Sequence, residues 1–201
     1  MFNNNEFSNG GFLRYNIFKP FWIFNNTFSG LNISYQRLYK PNKFQEFNIR
    51  GYAGGTLAKS FTSLGINFNV IPIKGNDFFE PREADRFSVT SQSYMLNGWV
   101  SSDYRKKIAI DANAAYRINP LYDQRIYDWG ISPRFRPNDK LFFIYNLYNL
   151  VFPKEVGYVH TIEHEDADNE VIYGARERNT VINTLEAVSY THLTLPTTSW
   201  G

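Results

Sequence analysis

Between Lys107 and Ile118 every second residue is apolar (Ile108, Ile110, Ala112, Ala114, Tyr116, Ile118), and Ala109, Asp111, Asn113, Ala115 and Arg117 lie between them. Side chains along a strand point alternately to opposite faces, so this pattern predicts a strand with one apolar and one polar face. A strand of that length is long for a soluble protein, whereas a tilted membrane crossing takes ~9–11 residues. Placing Asp111 in lipid would be costly. Ile108, Ile110, Ala112, Ala114 and Tyr116 are therefore expected on the convex side of the sheet, with Asp111, Asn113 and Arg117 on the concave side.

The same alternation recurs along most of the chain. Leu13, Tyr15 and Ile17 alternate with Arg14 and Asn16 up to Pro20, and Leu31, Ile33 and Tyr35 alternate with Asn32, Ser34 and Gln36. Phe47 to Gly54 follows the turn Lys40-Pro41-Asn42-Lys43, and its glycines mark places where a wall can bend. Leu64, Ile66, Phe68 and Val70 make the next apolar face. Residues 74–86 break the pattern with a charged loop, and a weaker strand spans Phe87–Val100. Asp103–Lys107, Asn119–Asp123 and Pro137-Asn138-Asp139 read as turns around the strands Ile108–Ile118 and Tyr127–Arg136. Within the latter, Pro133 is a complication, because proline cannot donate to a ladder. Leu141–Phe152, Gly157–Ile162, Val171–Arg178 and Val181–Ala187 complete about ten strands.

The connections are short and none carries a helical crossover, so the strands are expected to run antiparallel. The fold class is all-β: an antiparallel meander of about ten long strands, forming a transmembrane β-barrel or an incomplete piece of one. Aromatic residues make up 18% of the 201 residues, with 14 Tyr and 18 Phe, which suits the aromatic girdles of such a wall. No run approaches ~18 apolar residues, which excludes a transmembrane helix. The chain has no cysteine, which removes disulfides and thiolate metal sites. Net charge is only +2 and no basic stripe forms, so nucleic acid is not an expected partner.

Candidate chemistry is sparse. His160-Thr161-Ile162-Glu163-His164-Glu165-Asp166-Ala167-Asp168-Asn169-Glu170 gathers two histidines and five carboxylates. In an extended strand His160 and His164 stand about 13 Å apart, too far to share an ion. A curled loop could collect Glu165, Asp166, Asp168 and Glu170, but the glycine of a Ca²⁺-loop turn is lacking, and a solvated hairpin loop is the expected reading. Phe79-Glu80-Pro81-Arg82 with Asp85 and Arg86 is read as a Glu–Arg pair shaping a loop, with a ligand contact as the other option. Arg176 and Arg178 fall on one side of a strand, lining a lumen or facing headgroups at the membrane boundary, and the cost of lipid-facing charge favours the lumen. G-x-S-x-G, H-E-x-x-H and Gly-rich phosphate loops are all absent, so no catalytic, cofactor or metal residues are assigned and no enzyme is expected.

Gly157-Tyr158-Val159 and Ile172-Tyr173-Gly174-Ala175-Arg176-Glu177-Arg178-Asn179-Thr180-Val181-Ile182-Asn183-Thr184-Leu185 resemble the C-terminal domain of the domain-of-unknown-function 5916 family. Phe78-Phe79-Glu80-Pro81-Arg82 and Asp103-Tyr104-Arg105-Lys106-Lys107 are similar to further segments of it. The resemblance covers about Leu31 to Leu185, with Ala175 where a second basic residue is expected. It implies a carbohydrate-binding-module-like domain ahead of an outer-membrane barrel, and it offers no catalytic residues to carry over.

Met1–Gly10 has neither the basic nor the apolar region of a secretory signal, so the true start is expected upstream, and with it any glycan-binding domain. Val188–Thr197 looks like translated sequencing adapter. The expected division is therefore residues 1–187 as barrel fragment and 188–201 as a non-native tail. The expected role is an outer-membrane β-barrel segment of a Gram-negative-type bacterium, contacting lipid, with a channel, anchoring or glycan-handling function. The alternatives are a soluble all-β binding protein and an outer-membrane hydrolase.

Overall fold

The computed structural model describes residues 5–83, 86–165 and 167–189. The chain is all-β, and its strands are β1 (Glu6–Ile17), β2 (Phe24–Leu38), β3 (Phe44–Leu57), β4 (Ser63–Ile71), β5 (Gly75–Asp77), β6 (Ser88–Thr90), β7 (Ser93–Ser101), β8 (Ile108–Asn119), β9 (Gln124–Asn138), β10 (Leu141–Ile162) and β11 (Glu170–Ser189). Nine of them form one antiparallel sheet in the order β1-β2-β3-β4-β7-β8-β9-β10-β11, and β5 pairs only with β6. The sheet does not close: β1 and β11 each pair on one side only.

Strands expected separately turn out to be merged. Gly157–Ile162 continues β10, and Val171–Arg178 joins Val181–Ala187 in β11. The weak strand Phe87–Val100 instead divides into β6 and β7. Turn chemistry explains the merging. Pro153 looks like a terminator, but β9 pairs with β10 only up to Val151, so at Pro153 no donor is required on that side. Pro133 shows a related accommodation: it pairs with Ile110 of β8, and the β9–β10 ladder skips from Arg134–Ile144 to Ile131–Leu147 around it. At the start of the chain, β1 begins at Glu6, within the stretch read as a polar terminus. At its end, Val188 and Ser189 pair with Phe142 and Leu141, and the rest of the suspected tail lies outside the described residues.

Register lines up the two faces across the sheet. One cross-strand row runs Leu13, Leu31, Gly51, Phe68, Leu96, Tyr116, Tyr127, Val151. Beside it on the same face runs Tyr15, Ser29, Ala53, Ile66, Gly98, Ala114, Trp129, Asn149. The opposite face carries Asn32, Arg50, Asn69, Met95 and Arg117 in one row and Asn67, Asn97 and Asp128 in the next.

The apolar face is the exposed one. Ile108 is 69% exposed, Leu96 59% and Ile66 54%, whereas Asp111, Asn113 and Arg117 are half-buried. With one layer of sheet, only curvature can enclose a face, so the polar face is the concave one. Among the described residues the buried apolar side chains of the sheet are just Leu38, Ala109 and Ile126, with Pro81 buried in the β5–β6 connection.

Glycines let aromatic rings lie flat on this wall. A Cβ on Gly54 would stand 2.8 Å from Cζ of Phe28, and one on Gly65 2.9 Å from Cε2 of Trp99. Phe28 on β2 and Trp99 on β7, with β3 and β4 between them, thereby stack over the gap with ring centroids 6.3 Å apart.

The two ends of the sheet differ. At one end the connections are residues 18–23, 58–62, 102–107 and 139–140; at the other they are 39–43, 72–92, 120–123 and 163–169. The shorter end is tied by Arg105, which pairs with Asp103 at 2.8 Å and lies over the Phe61 ring at 3.8 Å. The hydrogen bonds of Arg105 hold the Asp103 carboxyl down at about 2.

Candidate functional site

The longer-looped end is built by an overhang and a cap. β10 spans 22 residues and β11 spans 20, and both run past the β8–β9 turn as a projecting hairpin. Two irregularities bend it, between Phe152 and Glu155 and between Tyr158 and His160, each adding one residue to β10. At the first, Lys154 adopts a left-handed φ of 54°. Its carbonyl accepts from the buried Gln124 amide, and its ammonium reaches Asp123 at 3.0 Å.

The first bulge also decides which way Glu155 faces. In an unbroken strand Phe152 and Glu155 would point to opposite faces. The extra residue brings both to the side shared by Arg178 and Arg176, their respective partners on β11. Glu155 consequently meets both guanidiniums, Arg176 at 2.8 Å and Arg178 at 3.0 Å. The hydrogen bond from Arg176, with the charge of Arg178 added, holds the Glu155 carboxyl below the usual carboxylate range despite partial burial.

The cap is the β4–β7 connection carrying the β5–β6 hairpin. It docks on β3 where Asn76 donates to the Phe44 carbonyl at 3.0 Å. It docks on the β8–β9 turn where Tyr122 donates to the Val89 carbonyl at 2.8 Å and the Leu121 amide donates to Ser91 at 3.0 Å. On the overhang, Glu80 accepts the Tyr158 backbone amide at 2.7 Å, and Arg82 lies over the Tyr158 ring at 4.3 Å. The connection thus bridges β3 to β10 across the concave side.

Between cap and overhang lies a cavity of about 820 Å³, where Tyr122, Tyr173, Asn119, Gln124, Glu155 and Arg176 converge. Burial pushes the Tyr173 hydroxyl up, against a hydrogen bond with Ser88. The lining offers ring faces beside amide, carboxylate and guanidinium groups. Such a recess holds a polar ligand by orienting hydrogen bonds.

The loop residues singled out in the sequence are placed differently from one another. Arg176 and Arg178 do share a side, and both reach Glu155, a partner hidden from the sequence by the bulge. Glu80 and Arg82 do not pair; each contacts Tyr158 instead. Arg86 reaches Asp168 at 3.5 Å, and Asn169 donates to Glu83 at 3.4 Å, tying the cap to the acidic hairpin tip. Asp85 and Asp166 lie outside the described residues. His160 sits on β10 opposite Ile172, and His164 is exposed in the loop. Among the described residues no three His, Asp or Glu side chains converge as a metal site.

The family model for a domain of unknown function (DUF5916) matches residues 1–194. The chain belongs to this family. The DUF5916 match takes in the wall, the cap and the overhang together, and it extends past Ala187, the boundary read from the sequence. No curated protein and no solved structure matches the chain.

Proposed function

We propose that this DUF5916 chain is a wall segment of an outer-membrane β-barrel in a Gram-negative-type bacterium, its apolar face against lipid and its polar face toward water. The capped end would face outward and receive polar solutes. The observation that carries this reading is the inverted polarity of the sheet, with large apolar side chains exposed on one face and amides and charges half-buried on the other. A soluble sheet of this size would need a buried apolar layer, and among the described residues of its strands the buried apolar side chains are only Leu38, Ala109 and Ile126.

Dimensions agree with the lipid reading. From Ile108 to Ile118 the strand rises about 34 Å, which at a tilt of ~45° spans about 24 Å of depth, near the ~25 Å apolar band of such barrels. Exposed aromatics flank that band, with Phe21, Trp22, Phe61 and Phe135 toward one end and Tyr35, Tyr94 and Tyr127 toward the other. Short turns at one end and longer loops at the other fit periplasmic and extracellular sides respectively. The capped cavity, with tyrosines beside Asn119 and Gln124, suits a sugar-like ligand, and glycan handling is the role we assign to that end.

Tryptophans on opposite faces provide the test, since Trp129 lies on the apolar face and Trp99 on the polar one. Single-tryptophan variants retaining one or the other, with the rest changed to Phe, are refolded into vesicles of phosphatidylcholine with brominated acyl chains. Trp129 emission should be quenched strongly and Trp99 emission spared. Equal quenching of the two, or none of either, would overturn the lipid-facing assignment.

A further inference from the structure

We propose that the concave polar face carries an oxyanion-binding site formed by Arg14, Arg50 and Arg117. These three side chains line a second cavity, of about 620 Å³, together with Asn32, Asn67 and Asn69, and no carboxylate lines it. Register explains how they meet. Arg50 on β3 is opposite Asn69 on β4, Asn69 is opposite Met95 on β7, and Met95 is opposite Arg117 on β8. Their backbones therefore stand three strand spacings apart, about 14 Å along the sheet. Curvature toward the polar side brings the long side chains into one recess. Arg14 joins from the neighbouring row, where its partner on β2 is Gly30.

Among the described residues no carboxylate touches any of the three, although the Arg117 charge reaches Asp128 through space. Arg50 donates through Nε to Asn48 at 3.1 Å and to Asn69 at 3.0 Å, both neutral amide oxygens. Arg117 approaches Met95 Sδ at 3.3 Å through Nη2, and its Nε is enclosed with no partner. None of the three makes an ion pair among the described residues. The nearest acid by register is Asp128, two positions along β9 from Ile126, the residue opposite Arg117.

Arg14 and Arg50 are exposed and Arg117 is half-buried, so three like guanidinium charges share one recess and an anion entering it relieves their repulsion and gives the shielded Arg117 Nε a partner. Their planar forks match the oxygens of a phosphate, sulfate or carboxylate bidentately. Arginine-lined recesses inside barrels select anionic solutes on the same basis. The occupant is an oxyanion-bearing molecule, whether a free solute or a lipid headgroup. This inference rests on the polar face itself and not on lipid contact by the other face.

The test is calorimetric titration of the full chain in dodecyl maltoside, or in plain buffer should the chain prove soluble. Sodium pyrophosphate is the probe, with dihexanoyl phosphatidic acid in a parallel arm. Saturable pyrophosphate binding that weakens with added salt is expected. R50Q and R117Q should each weaken it about tenfold, whereas R176Q, in the capped cavity, should leave it unchanged. Binding of phosphatidic acid alone, with the same arginine dependence, supports the site and identifies its occupant as a headgroup. Should R50Q or R117Q fail to fold, R14Q on the exposed edge strand must still weaken binding severalfold. Absence of saturable binding of either probe, or an equal loss in R176Q, would overturn the proposal.

Discussion

An arginine placed on the apolar face discriminates sharply between lipid and water as its surroundings. Ile66 is 54% exposed and shares its cross-strand row with Ala114, near the middle of β8. If that row sits at mid-depth in a bilayer, Ile66→Arg costs about 2–4 kcal/mol. Each 1.4 kcal/mol is tenfold, so the folding equilibrium should fall by roughly 30- to 700-fold. The same change at Tyr94, beside the longer-looped end, should cost about 0–1 kcal/mol. In water both substitutions replace an exposed apolar side chain by a solvated cation, and both should be close to neutral. Urea titration of each variant refolded in phosphatidylcholine vesicles, followed by tryptophan emission, reads the difference directly. A neutral Ile66→Arg, or equal costs at Ile66 and Tyr94, would refute the reasoning from depth.

Three further outcomes are expected. Gly65→Val puts a Cβ 2.8 Å from the Ala53 carbonyl and 2.9 Å from the Trp99 ring, so it should cost about 1–3 kcal/mol and shift the near-UV circular dichroism of Trp99. The lowered Glu155 pKa makes stability depend on pH in one direction: its contribution is complete above the ordinary value of ~4.3 and is lost as pH falls through the folded value. Urea midpoints should therefore drop more steeply on acidification for the parent chain than for E155Q. Deleting Lys154 removes the extra residue and leaves Glu155 two positions after Phe152 in a regular strand, so both arginine contacts and that same pH dependence should survive; their loss would show that the bulge does more than set the facing.

The wall was legible because its signals are local. Period-two alternation marked β8 and β4 directly, Lys40-Pro41-Asn42-Lys43 and Asp103–Lys107 fall between strands as expected, and of Asn119–Asp123 all but Asn119, the last residue of β8, do so. What escaped was set by context. Pro153 resembles a terminator and becomes part of a bulge, because no β9 strand stands beside it to miss its N–H. Gly75-Asn76-Asp77 resembles a loop and becomes β5, because Ser88–Thr90 returns alongside it. The candidate site shows the same division. That Arg176 and Arg178 share a side follows from spacing alone, whereas Glu155 reaches them only after one added residue reverses its facing. Contacts such as Glu80 with the Tyr158 amide join residues 78 positions apart, and no periodicity encodes them.

The two open edges make this chain a bifunctional unit in the polymer sense. Among the described residues, β1 and β11 each present an unpaired row of backbone donors and acceptors, and any such row pairs with whatever edge reaches it first. Two outcomes compete: the chain's own edges meet, or each edge recruits a strand from elsewhere. Because one curved wall carries both edges, they see each other at an effective concentration on the order of millimolar, which dilution does not change. Encounter with outside strands, by contrast, scales with how densely the chains are packed. On the proposed barrel reading, ring size would then be partly a kinetic quantity, set by surface density during insertion as much as by the number of strands each chain supplies.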